Sequence, residues 1–291
     1  MIKQQVEEFY NKHYKLLMVL PLIVVALSLV SIIGFYYKTG DIINKDITLK
    51  GGISATIYTE KQVDTAEIEK ELVDASVRTL TDLSTGKQIG ILVEISGKTS
   101  DELKSYLEKR LDLTLDDQNY SMEETGSSLG SSFYSELLMV LFFAFILMGI
   151  VVFATFRNII PSLAVIQAAF GDMVIALAAV NLMGMKISSA GIVAFLLIIG
   201  YSIDTDILLT TKALKKHEGK IFDRMWNAMK TGLTMLLTAV AALTIAIIFS
   251  NSVVIKEMFT IILIALIADV FTTFLTNAGI ITWYCKKKGI N

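Results

Sequence analysis

Cysteine occurs once in the 291 residues, at Cys285, so no disulfide can form within the chain. Histidine occurs twice, at His13 and His217, in the polar flanks of apolar runs, which gives no basis for a histidine metal centre. No Gly-x-x-x-x-Gly-Lys-Ser/Thr run is present, so ATP binding through a P-loop is excluded. The Tyr-Asp and Gly-x-Gly-Asp signatures of intramembrane aspartyl proteases are missing too; the chain has Gly200-Tyr201-Ser202-Ile203-Asp204 instead. The first apolar run, Leu16–Tyr36, lacks a small-residue cleavage site and reads as a retained anchor.

What is present is apolar sequence in long runs. Hydrophobic residues make up 54% of the chain. Six segments are long enough to cross a bilayer, at 15–36, 134–156, 160–181, 187–210, 231–250 and 257–284. Residues 1–14 form a tail, 37–133 a long connection, and 211–230 a basic one. The turns Arg157–Ile160, Asn181–Lys186 and Asn251–Lys256 are short enough to force antiparallel neighbours.

Charge sets the orientation. Residues 38–132 carry 18 acidic and 11 basic side chains, a balance of −7 in a chain whose total is −2. Lysines and arginines collect in the N-terminal tail (Lys3, Lys12, Lys15), in the 211–230 connection (Lys212, Lys215, Lys216, Lys220, Arg224, Lys230) and at Lys286–Lys288. The positive-inside rule therefore predicts a multi-pass protein of the cell membrane with both termini cytoplasmic and residues 37–133 outside.

The 37–133 segment predicts a small α+β domain of ferredoxin-like type. Ile53, Ala55 and Ile57 alternate with polar residues, Ile89, Ile91, Val93 and Ile95 recur at every second position as a second strand, and a third strand is expected near 119–124. Asp64 is the expected cap of a helix bearing Ile68, Leu72 and Ala75; Ser100 is the expected cap of a helix bearing Leu103, Leu107 and Leu111. A Gly/Ser stretch, Thr125–Ser132, joins this domain to the second span, with Gly126 and Gly130 as hinge candidates. Within 211–230, Ile221, Phe222, Met225 and Met229 predict an amphipathic helix, lying in the bilayer interface or docking another protein.

The chemistry-bearing residues are acids inside apolar helices: Asp172, Asp204, Asp206 and Asp269. A charged carboxylate at mid-bilayer costs about 3 kcal/mol on insertion scales. Such a group faces the bundle interior, water or a partner, and is a candidate for proton exchange. Asp204 and Asp206 point about 200° apart on a helix. Asp206 shares its face with Ser202 and Thr210 and is the first candidate for the polar interior; Asp204 is a candidate for a partner-facing position. One or both can also be hydrated near a helix end. Asp269, Thr272, Thr273 and Thr276 form a polar stripe, as do Thr231, Thr234 and Thr238; threonines in such stripes can equally satisfy their own backbone. Gln167 stands near Asp172, and Lys230 is a candidate cationic partner or an anchor at the membrane boundary.

The run Gly200–Leu209 resembles the fourth-helix pattern G-Y-S-x-N-D-T-I-V-V of the SecD/SecF protein-export family, part of the resistance-nodulation-division superfamily. Lys50-Gly51-Gly52 is similar to the glycine pair that begins that family's outer domain. Gly126–Gly130 resembles its G-P-x-L-G approach to the second helix, and Lys230–Thr238 its R-T-x-x-T-x-x-T-T fifth helix. The layout of one helix, a domain and five helices matches throughout, and the length resembles the SecF side. The pattern also departs: the family's Asp falls on Thr205, flanked here by Asp204 and Asp206, its helix-five Arg falls on Lys230, and its D-R-I-R is Thr211-Lys212-Ala213-Leu214. These departures resemble an archaeal branch.

The resemblance implies an accessory subunit that uses the transmembrane ion gradient for late steps of polypeptide export, with a SecD-like membrane subunit, the Sec channel and the translocating polypeptide as partners. It implies neither a cofactor, nor a metal, nor nucleic acid, nor an enzymatic reaction. Asp206, Asp204, Thr205, Asp172, Asp269 and Lys230 are the ion-coupling candidates. The expected mechanism has protonation shifting helix packing and swinging the outer domain through the Gly126–Ser132 hinge. A small-molecule or lipid exporter of the same superfamily and a passive translocon assembly factor are the competing readings.

Overall fold

A computed structural model describes residues 2–72, 75–82, 85–214, 219–250 and 252–290. Helix α1 runs from Ile2 to Thr39 and the short α2 from Ile47 to Lys50. At 38 residues α1 is about 57 Å long, well beyond a hydrocarbon core of about 30 Å, so it projects past the apolar layer. Its start packs Tyr10 against Phe222 and Tyr284.

The domain after α1 follows the order β1 (Gly52–Tyr58), α3 (Thr65–Glu71), β2 (Ala75–Thr81), β3 (Gln88–Ile95), α4 (Ser100–Leu111) and β4 (Tyr120–Thr125). The sheet order is β2-β3-β1-β4, antiparallel throughout, which is the ferredoxin-like arrangement. Ile53, Ala55, Ile57, Ile91, Val93 and Ile95 form its buried face with Ile68, Leu103 and Leu107 of the helices. Three local expectations change. A fourth strand, β2, lies where no strand was expected, and Ala75 begins it instead of extending the preceding helix. Thr99, not Ser100, caps α4, through a capping box with Glu102. Asp64 does cap α3, accepting from Ala66 N at 3.0 Å.

Five further helical segments complete six spans: α5 (Ser127–Phe156), α6 (Ile159–Leu182), α7 (Ser189–Leu214), α8 (Ile221–Phe249), and a last span made of α9 (Val253–Phe271), a π-helical turn (Thr272–Asn277) and α10 (Ala278–Lys288). Helices α6, α7 and the last span form the centre; α5 and α8 lie outside it and present Phe142, Phe143, Leu147 and Leu237 outward. Small residues (Ala168, Ala169, Gly171, Ala176) line α6 and bring the central helices close, the usual device where lipid removes the hydrophobic drive between helices.

Two connections differ from the sequence reading. The Gly/Ser stretch is helical from Ser127 onward, with Gly126 as the N-cap of α5. Gly130 packs against the backbone before β1: a Cβ there would stand 2.9 Å from Gly51 N. In the 211–230 connection, α7 continues to Leu214 and α8 begins at Ile221, so residues 221–230 extend the fifth span instead of forming a separate interfacial helix. Ile221, Phe222 and Met225 are buried against Tyr10 and Ala213, with Met229 packed beside them. Lys215, Lys216 and His217 lie outside the described residues.

Candidate functional site

Three acids meet in the centre of the bundle, one from each of three helices. Asp172 comes from α6, Asp206 from α7 and Asp269 from α9, all within 1% of complete burial. Ser202 stands between the first and third, with its Oγ 2.6 Å from Asp172 Oδ2 and 3.1 Å from Asp269 Oδ1. Thr273 stands between the third and second, 2.7 Å from Asp269 Oδ1 and 2.8 Å from Asp206 Oδ1. Thr272 donates to Asp172 Oδ1 at 2.5 Å, and the Asn277 amide donates to Asp206 Oδ1 at 2.6 Å. Asn277 also approaches Thr210 at 3.4 Å. The result is one chain of polar contacts from Thr272 to Thr210.

The π-helical turn makes this possible. It adds a residue to the turn after Asp269 and leaves Thr272, Thr273, Thr276 and Asn277 all fully buried. Such turns recur at functional sites because they redirect side chains within a helix. Gly171 completes the approach: a Cβ on it would meet Val25 at 3.1 Å and Thr272 at 3.3 Å.

Hydrogen counting limits the states of the cluster. Ser202 and Thr273 each carry one hydroxyl proton yet each faces two carboxyls. Each hydroxyl satisfies one contact, and the other contact needs a proton on a carboxyl. Asp206 Oδ2 and Asn277 Oδ1 are buried without a protein partner. A buried polar atom left unpaired in a native core calls for a functional account. The three acids accept from hydroxyls and an amide, and Asp172 and Asp269 also hydrogen-bond each other directly. Like charges roughly 5 Å apart repel by about 3 kcal/mol at an effective dielectric of about 20, so full ionisation of the three would set α6, α7 and α9 against one another.

The remaining candidates stand apart. Asp204 is exposed on the opposite side of α7. Thr205 is buried, but its methyl faces Gly232 of α8. Lys230 is exposed, with its ammonium 5.7 Å from the Trp226 ring instead of on the carboxyls. Thr231, Thr234 and Thr238 are exposed and bond to their own backbone. Thr276 turns away and donates to Met18 O of α1 at 3.1 Å. Gln167 is half-buried and its Oε1 has no partner. Asn277 was not a candidate, although it stands eight residues after Asp269 and so falls on the same helical stripe.

The sequence profile described as "Protein export membrane protein SecD/SecF, C-terminal" matches residues 106–287, more than half of the chain. The chain belongs to the SecD/SecF protein-export family. Among its SecF relatives, the protein-export membrane protein SecF of Methanocaldococcus jannaschii is 35% identical, over 94% of this chain and 96% of the relative. SecF of Pyrococcus furiosus is 31% identical, over 99% and 96%. The crystal structure of SecDF, a translocon-associated membrane protein from Thermus thermophilus, superimposes with a TM-score of 0.76 at 18% identity. The match covers 94% of this chain and 38% of that one, so this chain corresponds in fold to about two fifths of the SecDF polypeptide. A second SecDF structure, in a super-membrane-facing form, matches with a TM-score of 0.55 over 96% of this chain and 39% of that one. Within the SecD/SecF family this chain is therefore a SecF-type, multi-pass protein-export membrane protein.

Proposed function

We propose that this chain is the gradient-responsive SecF half of an archaeal-type export complex. It sits in the cell membrane with both termini cytoplasmic and the ferredoxin-like domain outside, as the lysine distribution favours. It pairs with a SecD-like subunit, acts beside the Sec channel, and promotes late steps of polypeptide export without making or breaking a covalent bond. Asp204 lies on a face of α7 available to the SecD-like partner.

The observation that carries this reading is the carboxyl cluster. Three acids on three separate helices, held by hydroxyls and an amide, form an element whose packing depends on proton or cation occupancy. A gradient of 100 mV supplies about 2.3 kcal/mol per charge, enough to shift a two-state equilibrium more than tenfold. A passive scaffold has no use for such a cluster, which costs stability wherever it is not needed.

The test is export of a reporter polypeptide in cells carrying Asp206→Asn, with and without a collapsed gradient. The expected result is a variant present at normal membrane abundance whose export no longer responds to the gradient. Undiminished, gradient-dependent export would support the assembly-factor reading instead. Repeating the assay with separate proton and sodium ionophores identifies the ion.

A further inference from the structure

The sheet has two working faces. One packs on α3 and α4. The other carries Thr56, Arg78, Leu92 and Glu94 over a polar cavity of about 210 Å³, closed from the bundle side by Ser252 and Glu257. Glu94 is 2% exposed, unusual for a strand glutamate. Its Oε1 pairs with Arg78 at 2.9 Å within the sheet, and its Oε2 pairs with Lys186 at 2.5 Å. Lys186 belongs to the short turn between α6 and α7.

That turn is tied to the root of the domain at several further points. Ile187 N donates to Asn44 O at 2.7 Å, and Asp46 N donates to Ile187 O at 3.0 Å. Ser189 N donates to Thr48 Oγ1 at 2.9 Å, and Asn181 Nδ2 donates to Ile42 O at 2.9 Å. The start of α9 joins the same knot, because Glu257 Oε1 accepts from Ser188 N at 2.7 Å and from Ser188 Oγ at 3.0 Å. Thus α6, α7 and α9, the three helices that carry Asp172, Asp206 and Asp269, converge on one turn, and that turn grips the sheet.

We propose that the α6–α7 turn, through the Lys186–Glu94 ion pair, is the coupling element that transmits rearrangement of the carboxyl-bearing helices to the ferredoxin-like domain. The inference rests on the ion-coupling reading above. It assigns Lys186 and Glu94 as positioning residues, and it moves the mechanical link from the Gly126–Gly130 segment to the α6–α7 turn. The backbone bonds hold the turn at the membrane end. The ion pair extends the hold to β3, one of the two inner strands, where a shift of the turn moves the sheet as a body.

The experiment uses cells expressing the full chain with its natural partners. Lys186→Gln and Glu94→Gln should each lower gradient-stimulated export at least about fivefold, the low end of a measurable coupling between sites. Lys186→Arg, which keeps the charge, should restore it. In an Asp206→Asn background, Lys186→Gln should add nothing, because both act on one transmission path. A purely structural role would instead give additive losses. Export that responds to the gradient in the wild type and stays within twofold in Lys186→Gln overturns the coupling role and leaves the ion-coupling reading standing. Export that ignores the gradient in the wild type overturns both. Should Lys186→Gln lower membrane abundance, spin labels on Asp101→Cys and Met183→Cys in a Cys285→Ala chain report the domain-to-turn distance directly. The expected result is a distance that Asp206→Asn leaves unchanged while the ion pair is intact and that changes once Glu94→Gln is also present; a distance that changes equally with the pair intact overturns the proposal.

Discussion

At the scale of single residues, burial decides which acids matter. Asp206 and Asp204 are two positions apart, yet one is fully buried and the other exposed. Asp206→Asn and Asp269→Asn should therefore abolish the gradient response, whereas Asp204→Asn should keep it within about twofold, since a surface substitution typically changes little. A loss with Asp204→Asn equal to that with Asp206→Asn would put the ion path on the other side of α7. The choice of Asp206 was legible from its spacing to Ser202 and Thr210. The isolation of Lys230 was not, because sequence gives the period of a helix but not its rotation against neighbours. Glu94 was likewise unremarkable in sequence, since its partner Lys186 is 92 positions away.

Asp46 offers a pH signature outside the membrane. Burial pushes its carboxyl above the usual carboxylate range, opposed by hydrogen bonds from Thr48 and increased by nearby Glu94. Its folded value lies above the unfolded one, so its stabilising contribution is complete below the unfolded value and is lost as pH rises through the folded value. Asp46 also caps α2, accepting from Thr48 N at 2.7 Å. Asp46→Asn keeps an acceptor there and should flatten the dependence of thermal unfolding on pH. Asp46→Ala should cost about 1 kcal/mol through loss of the cap. An unchanged pH slope in Asp46→Asn would show that the carboxyl is solvated in the folded protein.

At the scale of elements, the π-helical turn is the feature least accessible to sequence reasoning. The stripe Asp269, Thr272, Thr273 and Thr276 fits a regular helix, and nothing in its residue types announces the wider turn. Deleting Leu275 should remove the extra residue and restore regular α-helix, leaving the residues beyond it at nearly their present rotation. The α10 packing of Ala278, Ile281 and Cys285 should then survive, whereas Thr272, Thr273 and Asn277 can no longer all reach the three carboxyls, so the variant should keep membrane abundance and lose the gradient response; retention of both would show the turn to be dispensable. Strand β2 escaped sequence reading for a different reason. It is an edge strand with Val77 as its one buried residue, so its alternation is weak, whereas β1 and β3 announce themselves through strict apolar periodicity. At the start of α5, Gly130→Leu should destabilise the domain junction by about 1–3 kcal/mol in thermal unfolding, because its side chain meets Gly51 and Leu49 backbone.

At the scale of the whole molecule, six spans, their order and the domain between the first two followed from apolar run lengths and lysine placement, because a bilayer leaves few alternatives. What run length cannot convey is convergence: one knot beneath the sheet gathers the helices whose centres hold the acids. The account stands on those acids responding to the gradient as a unit. The direct measurement is infrared difference spectroscopy of the carboxyl bands in vesicles holding the full complex, recorded as a gradient is imposed. A carboxyl change that vanishes in Asp206→Asn is the predicted result; spectra identical with and without the gradient would contradict it.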